Sequence, residues 1–303
     1  SHTWIHLGSF TVQPAEFMKI GMVLILSYML TETDSAFVVK GKFRTAELKS
    51  KFYKDKFNKC VLFPLALMVF AFGIGVIVQK DLGSSLILAA ICFICFMSTP
   101  RDYYKKYKKL VWIALAVAVI ILGFLITAVL QGYQLQRIDS WLKPLKIENI
   151  YDSSWQLVNS LIAFTDGGIF GLGLGNSIQK YDYIPEAHND FIGAIIYEEL
   201  GIFGLALMII PTAIIIFRLL KYADQIQNNK SRVILIGIAS YFMLHLFVNL
   251  GGVSGLIPMT GVPLLLVSSG GSSTIAALIA IGIAQAIISK FNKEQLEKTD
   301  TQL

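Results

Sequence analysis

The sequence predicts an all-α polytopic membrane protein with seven transmembrane helices, and three observations carry that prediction. Hydrophobic residues make up 55% of the 303-residue chain and charged residues 15%, with a mean hydropathy of +0.63, too apolar for an ordinary soluble domain. Apolar runs of roughly 17 to 25 residues, the length that crosses a hydrocarbon core as a helix, recur along the chain. The basic residues gather in alternate connections between those runs. Inside lipid every backbone polar group must be satisfied within the protein, so such runs form helices rather than open sheet. The formal charge of +6 does not point to nucleic acid, because its carriers flank apolar runs instead of forming a separate basic face.

Taken in order, Ser1–Gln13 is short and amphipathic, and Trp4 and His6 make it an interfacial segment. Pro14 suits a first helical turn, and the first span runs to about Leu30, with Glu16 and Lys19 on one face at i and i+3. The second span is Cys60–Val78, the third Leu82–Met97 and the fourth Leu110–Leu130. Gln79-Lys80-Asp81 links the second and third, with Asp81 placed to cap the latter. A loop of 60 residues, Gln131–Asp190, precedes a fifth span that ends near Phe217. The sixth is Val233–Leu250, the seventh about Leu264–Ser289, and Gly251–Pro263 is a Gly- and Pro-rich turn between them. Cys92 and Cys95 form a C-x-x-C inside an apolar run with no second pair nearby, which reads as two small helix residues. A membrane bundle of this size is normally one unit, so residues 1–303 are expected to form a single transmembrane domain.

Eight basic residues lie in Thr31–Lys59, five in Ser98–Lys109, four just after Phe217 and three in the tail. Only four are spread over Gln131–Asp190, and Gly251–Pro263 has none. The positive-inside rule therefore puts the first set in the cytoplasm and the other two loops outside. This leaves the first end outside. The expectation is an N-terminally incomplete domain, an odd number of further spans restoring a cytoplasmic start.

Polar chemistry concentrates in Tyr183–Gly204. Glu186, His188, Asn189 and Asp190 stand directly ahead of an apolar helix, and Glu198 and Glu199 lie two turns inside it. Carboxylates there are costly in a membrane and need a reason. Asn189 or Asp190 could simply cap a helix starting at Phe191. Six polar or ionisable residues in fourteen also imply a wet cavity, in which desolvation and like charge suit a carboxylate to act as a general base. Glu16 and Lys19 either neutralise each other at the membrane edge or present a cation to an anion. Gly171-Leu172-Gly173-Leu174-Gly175 reads as tight turns, since it follows no strand and opens no Walker pattern. In Ser268-Ser269-Gly270-Gly271-Ser272-Ser273 the small residues allow close helix packing, or a broken helix aims its amides at an anionic ligand. His6, His188 and His245 lack partners at zinc spacing.

QPAEFMK (13–19), QKDLGSS (79–85), GLGLGNSIQK (171–180), IPEAHNDF (184–191), EELGIFG (198–204) and GLIPMTGVPLLLVSSGGSS (255–273) resemble, in order, the signature blocks of the SEDS family. That family comprises FtsW, RodA and SpoVE, and the wording of two blocks is closest to FtsW. The resemblance implies that the seven spans are the last seven of a ten-helix bundle, with 131–190 the large extracytoplasmic loop carrying the catalytic motif. Ser269 stands where the family usually has an aromatic residue, and Gly193 where Phe is common.

The resemblance further implies a multi-pass enzyme of the bacterial cytoplasmic membrane. It would be a peptidoglycan glycosyltransferase polymerising lipid II on the outer face, releasing undecaprenyl pyrophosphate, for division, elongation or sporulation. The family's essential acid falls on Asp190 as catalytic base. Glu16, Lys19, Arg137, Glu186, His188, Glu199, Ser268 and Ser272 are the expected substrate-binding residues, Lys19 and Arg137 facing the diphosphate. No cofactor is firmly implied, and a divalent cation, Mg or Mn, is an option. Expected partners are a class B penicillin-binding transpeptidase, other divisome or elongasome membrane proteins and membrane lipids, with no nucleic acid. A lipid II flippase or a non-catalytic divisome scaffold are the competing functions.

Overall fold

A computed structural model describes residues 4–7, 10–31, 46–100, 104–105, 107–109, 111–112, 139–146, 154–181, 183–185 and 187–300. It opens with an antiparallel ribbon, β1 (Ile5–Leu7) paired to β2 (Phe10–Val12), with Leu7 opposite Phe10. The short segment expected ahead of the first span takes the form of this ribbon. Its apolar residues are β-formers on two short runs, which strand pairing satisfies.

Helix α1 is Pro14–Thr31, α2 is Ala46–Phe57 and α3 is Phe63–Gly73. Single π-turns at Asn58–Leu62 and Ile74–Val78 extend α3 at both ends, so Phe52–Val78 forms one apolar stretch of 27 residues. Helix α4 is Leu82–Ser98, capped as expected: the Ser84 amide donates to Asp81 Oδ1 at 2.9 Å. Then follow α5 (Trp155–Gly167), α6 (Ile192–Gln225), α7 (Asn229–Val253) and α8 (Gly271–Asp300).

Five described helical stretches are long and apolar enough to cross a membrane: Pro14–Thr31, Phe52–Val78, Ile192–Gln225, Asn229–Val253 and Gly271–Asp300. The expected third span is the 17-residue α4, and most of the expected fourth lies outside the described residues. The 60-residue loop is not featureless, for α5 stands inside it and buries Leu157, Val158 and Ala163 together with Asn159 and Ser160. The last helix starts at Gly271 rather than Leu264. Leu264 and Leu265 are buried within a turn, and Leu266 adopts φ 64°, which ends any helix there.

The chain forms two compact units. One holds Ser1–Pro100, Ile215–Tyr241 and Gly271–Leu303, the other Arg101–Ile214 and Phe242–Gly270. In the first, α1 packs on α4 and α8. Gly237 permits a close approach, since a Cβ there would stand 2.6 Å from Val23 Cγ1 and 2.9 Å from Cys95 Sγ. Cys92 and Cys95 are buried and unbridged, as small helix residues should be. In the second, the core is Ala163, Ile184, Phe191, Ala194, Ile195 and Val253, tied by the Ser160 hydroxyl donating to the Val253 carbonyl at 2.6 Å.

Candidate functional site

Two features of the second unit place the polar stretch ahead of α6. The first is a break in α6 itself. Gly201 has φ 59° and ψ −141°, so the helix stops and restarts there. Carbonyls freed by the break accept bonds from the preceding loop, Glu198 from the Leu172 amide and Glu199 from the Gly173 amide, both at 2.9 Å. In return the Ile202 amide donates to the Ile169 carbonyl at 3.0 Å. Gly171, Gly173 and Gly175 all have positive φ, the expected tight turns, and these let the loop lie against the break.

The glutamates at the break hold that loop. Glu198, fully buried, accepts from the Ser177 hydroxyl and, at 2.9 Å, from the Ile178 amide. Glu199 pairs with Lys180 at 2.8 Å, and this hydrogen bond raises the pKa of Lys180 above its ordinary value. The expectation of one wet cavity shared by all six polar residues is therefore corrected. Glu198 and Glu199 turn to the 171–180 loop because its amides and lysine offer partners that lipid cannot. Glu198→Ala is expected to cost about 2–4 kcal/mol, the desolvation penalty of two abandoned donors, read as a lower thermal midpoint in detergent.

The second feature is the seating of Asp190. Helix α6 begins at Ile192, and Phe191 plugs the core. Asp190 therefore lies one residue outside the capping position and stays half-exposed. The backbone leading up to and including Asp190 is stitched to the 249–269 region carbonyl by carbonyl. The His188 carbonyl accepts from the Ser269 backbone amide at 3.1 Å, that of Asn189 from the Ser268 hydroxyl at 2.7 Å and that of Asp190 from the Asn249 side-chain Nδ2 at 2.7 Å. The Ser268 hydroxyl in turn accepts from the Leu264 amide at 2.8 Å, and the Ser269 hydroxyl lies 2.7 Å from Asn189 Oδ1. His245 Nδ1 braces the Pro263 carbonyl at 3.1 Å. Asp190, Asn249, Gly252, Met259, Thr260 and Gly261 share one narrow crevice there.

Gly261 matters twice. Its φ is +68°, and a Cβ there would stand 3.3 Å from Asp190 Oδ2. Gly261→Ala is expected to cost about 1 kcal/mol through the left-handed backbone and to displace the carboxylate, lowering turnover about tenfold while the substrate KM holds.

A separate cluster forms in the first unit. Glu16 and Lys19 pair at 2.7 Å with both side chains fully buried, and the Tyr241 hydroxyl donates to Glu16 at 3.1 Å. A buried ion pair is tolerated only when its remaining lone pairs are satisfied in this way. Gln13 Nε2 reaches Asp81 at 3.3 Å, while the Gln13 amide donates to Ser272 Oγ at 3.0 Å and that hydroxyl lies 3.2 Å from the Thr11 carbonyl.

The structure thus gathers Asp190, the His188 backbone and Ser268 in one unit, with Glu199 turned to Lys180. Glu16, Lys19 and Ser272 share the other. Arg137 and Glu186 lie outside the described residues. Among the described residues no three His, Cys, Asp or Glu side chains group to hold a metal ion. Sequence reasoning missed Asn249 and Gly261, and read Ser269 only as part of the small-residue run. Asn249 carried a usable signal, a lone amide within an apolar span.

The FtsW/RodA/SpoVE family model, described as cell cycle protein, matches residues 1–294. The probable peptidoglycan glycosyltransferase FtsW of Bacillus subtilis is 34% identical over 296 residues, 97% of this chain and 68% of that protein. Stage V sporulation protein E of the same organism is 31% identical over 284 residues, 93% and 70% respectively. The FtsW of Haemophilus influenzae is 34% identical over 283 residues, covering 92% of this chain and 65% of its own length. The chain thus spans about two thirds of the curated relatives it matches.

Among solved structures, a peptidoglycan synthase complex coordinating polymerization and crosslinking matches with TM-score 0.64 and 24% identity, over 93% of this chain and 71% of that one. Thermus thermophilus RodA matches with TM-score 0.54 and 23% identity, over 93% and 67%. At those identities the structures establish the fold. Sequence and fold together make this chain a helical, multi-pass membrane protein of the FtsW/RodA/SpoVE family of cell cycle proteins.

Proposed function

We propose that the protein is a peptidoglycan glycosyltransferase that polymerises lipid II into glycan strands, with Asp190 as its general base. The observation that carries this is the seating of Asp190. Three successive backbone carbonyls are fixed by bonds from Ser269, Ser268 and Asn249, while Phe191 anchors the next position. A carboxylate so held at the head of a membrane helix is pre-organised, as proton abstraction requires. The names of the relatives, peptidoglycan glycosyltransferases at 34% identity, support the reaction class.

In the reaction, the 4-hydroxyl oxygen of the acceptor sugar attacks the anomeric carbon of the donor strand. Asp190 takes the hydroxyl proton as the new C–O bond forms. The bond to undecaprenyl pyrophosphate breaks, and the diphosphate leaves with the electron pair without needing a proton. One base therefore suffices, unlike the paired carboxylates of glycosidases. The developing charge calls for cations. Lys19, oriented by Glu16, and Arg137 are assigned that role, with Lys19 requiring uncovering before it touches an anion. Glu186, His188, Glu199, Ser268 and Ser272 complete the proposed substrate surroundings, Glu199 and Ser268 through the backbone they hold.

The distribution of basic residues supports an extracytoplasmic position for Asp190, where a prenyl tail can stay in lipid while the sugars meet water. The same reading makes the chain seven spans, the last seven of a ten-helix bundle, and gives it a class B penicillin-binding transpeptidase as partner. The match to a peptidoglycan synthase complex supports that partner. Purified full-length protein supplied with lipid II in detergent should form glycan polymer. Translocation of lipid II without polymer would identify a transporter instead.

A further inference from the structure

Asn249 lies in the apolar helix α7, and 4% of its surface is exposed. Its Nδ2 donates to two backbone carbonyls, Asp190 at 2.7 Å and Val262 at 2.8 Å. Two acceptors on one terminus fix the amide orientation, because the flipped group would set oxygen against both carbonyls. Among the described residues, its Oδ1 is left buried with no hydrogen-bond partner. The nearest surroundings of that oxygen include Gly193, where a Cβ would stand 3.7 Å away.

A buried acceptor without a partner costs about 1–3 kcal/mol. A Leu of similar volume would avoid that penalty and suit an apolar helix. The two-carbonyl link is what this geometry delivers in exchange. One of its ends is the peptide that carries Asp190. The other is Val262, next to Gly261, where a Cβ would stand 3.3 Å from Asp190 Oδ2. Both ends line the same crevice. The link thus clamps the carboxylate-bearing peptide to the turn that abuts the carboxylate.

We infer that Asn249 is a positioning residue for Asp190: its carboxamide locks the Asp190 peptide to the Val262 peptide and thereby sets where the carboxylate stands. The inference rests on the reading of Asp190 as the base. It assigns Asn249 no contact with the substrate. Loss of the lock moves the carboxylate off line, so it affects turnover and leaves binding alone.

The test is glycan polymerisation from lipid II by the purified full-length protein, comparing the parent, Asn249→Leu, Asp190→Glu and the double variant. In Asn249→Leu, kcat is expected to fall about 30- to 100-fold with KM within about twofold. In the Asp190→Glu background the carboxylate is already displaced by a methylene, so adding Asn249→Leu should cost no more than about threefold. Losses that multiply, or a raised KM with kcat kept, would overturn the inference. Should Asn249→Leu fail to assemble, Asn249→Gln carries the test. It keeps the amide on a longer arm, is expected to lose about tenfold in kcat, and refutes the lock if it matches the parent. Polymerisation by Asp190→Asn at the parent's rate would defeat the base reading itself. An inactive Asp190→Asn beside a fully active Asn249→Leu would defeat the lock alone.

Discussion

Purified protein carrying Asp190→Asn will polymerise lipid II about 10³-fold more slowly than the parent, the range lost with a general base. The substitution is close to isosteric. The Asp190 carbonyl keeps its bond from Asn249, Phe191 keeps its place in the core, and the thermal midpoint should move little. The change therefore removes the proton acceptor and spares the frame that holds it. Because the carboxylate acts in the chemical step, the loss should appear in kcat and leave KM for lipid II near its parental value. In cells, the same variant at normal protein levels should not support growth. A rate within about threefold of the parent's would remove Asp190 from the chemistry.

Gly201→Ala should give a severe loss of stability at the α6 break. At φ 59° an L side chain is already strained, and the added Cβ would meet the Ile169 carbonyl oxygen at 2.2 Å and the Gly171 amide nitrogen at 2.7 Å. Those atoms are backbone on a loop that is itself bonded to α6, so no flexible side chain can yield. The expected cost is about 4 kcal/mol, in the exceptional tail of single substitutions, seen as a collapsed thermal midpoint or failure to accumulate in the membrane. Gly282→Ala is the matched control. That helical site has nothing within 4 Å of a new Cβ, and the change should be neutral or stabilise by about 0.5–1 kcal/mol. Equal midpoints for the two variants would refute the steric account.

The positions of the five described spans were legible because lipid imposes a length on apolar runs that few other constraints imitate. Their ends were less so. Leu264–Val267 looks like the opening of the last span, yet Leu264 and Leu265 are buried in a turn, and hydropathy alone does not separate a covered turn from a lipid-facing helix. Helix α5 escaped notice since its 13 residues show only a one-sided apolar stripe inside a polar loop. Glu198 and Glu199 announced themselves as charges in an apolar setting, but their partners, Ser177, Ile178 and Lys180, come from twenty residues upstream. For Asp190 the sequence offered two readings, and its position one residue outside the cap weakens one of them. Asn249 was hidden by its neighbours: one amide among leucines and valines leaves the run's average nearly unchanged.

The joint at Gly201 bears on how this chain is made. Helix α6 is 34 residues long, about 51 Å at the usual rise, but the part from Ile202 to Gln225, about 36 Å, covers the hydrocarbon core by itself. At the joint a turn's worth of peptide groups is completed by Ile169, Leu172 and Gly173 rather than by the helix's own neighbours. Those residues leave the ribosome first. The translated loop is thus a waiting template, ready when Glu198 emerges, and a nascent segment that reached lipid ahead of it would carry bare carbonyls into oil. Insertion of this span is therefore coupled to closure of a local motif, and substitutions in the loop should surface as defects in membrane integration before they surface as defects in the mature protein.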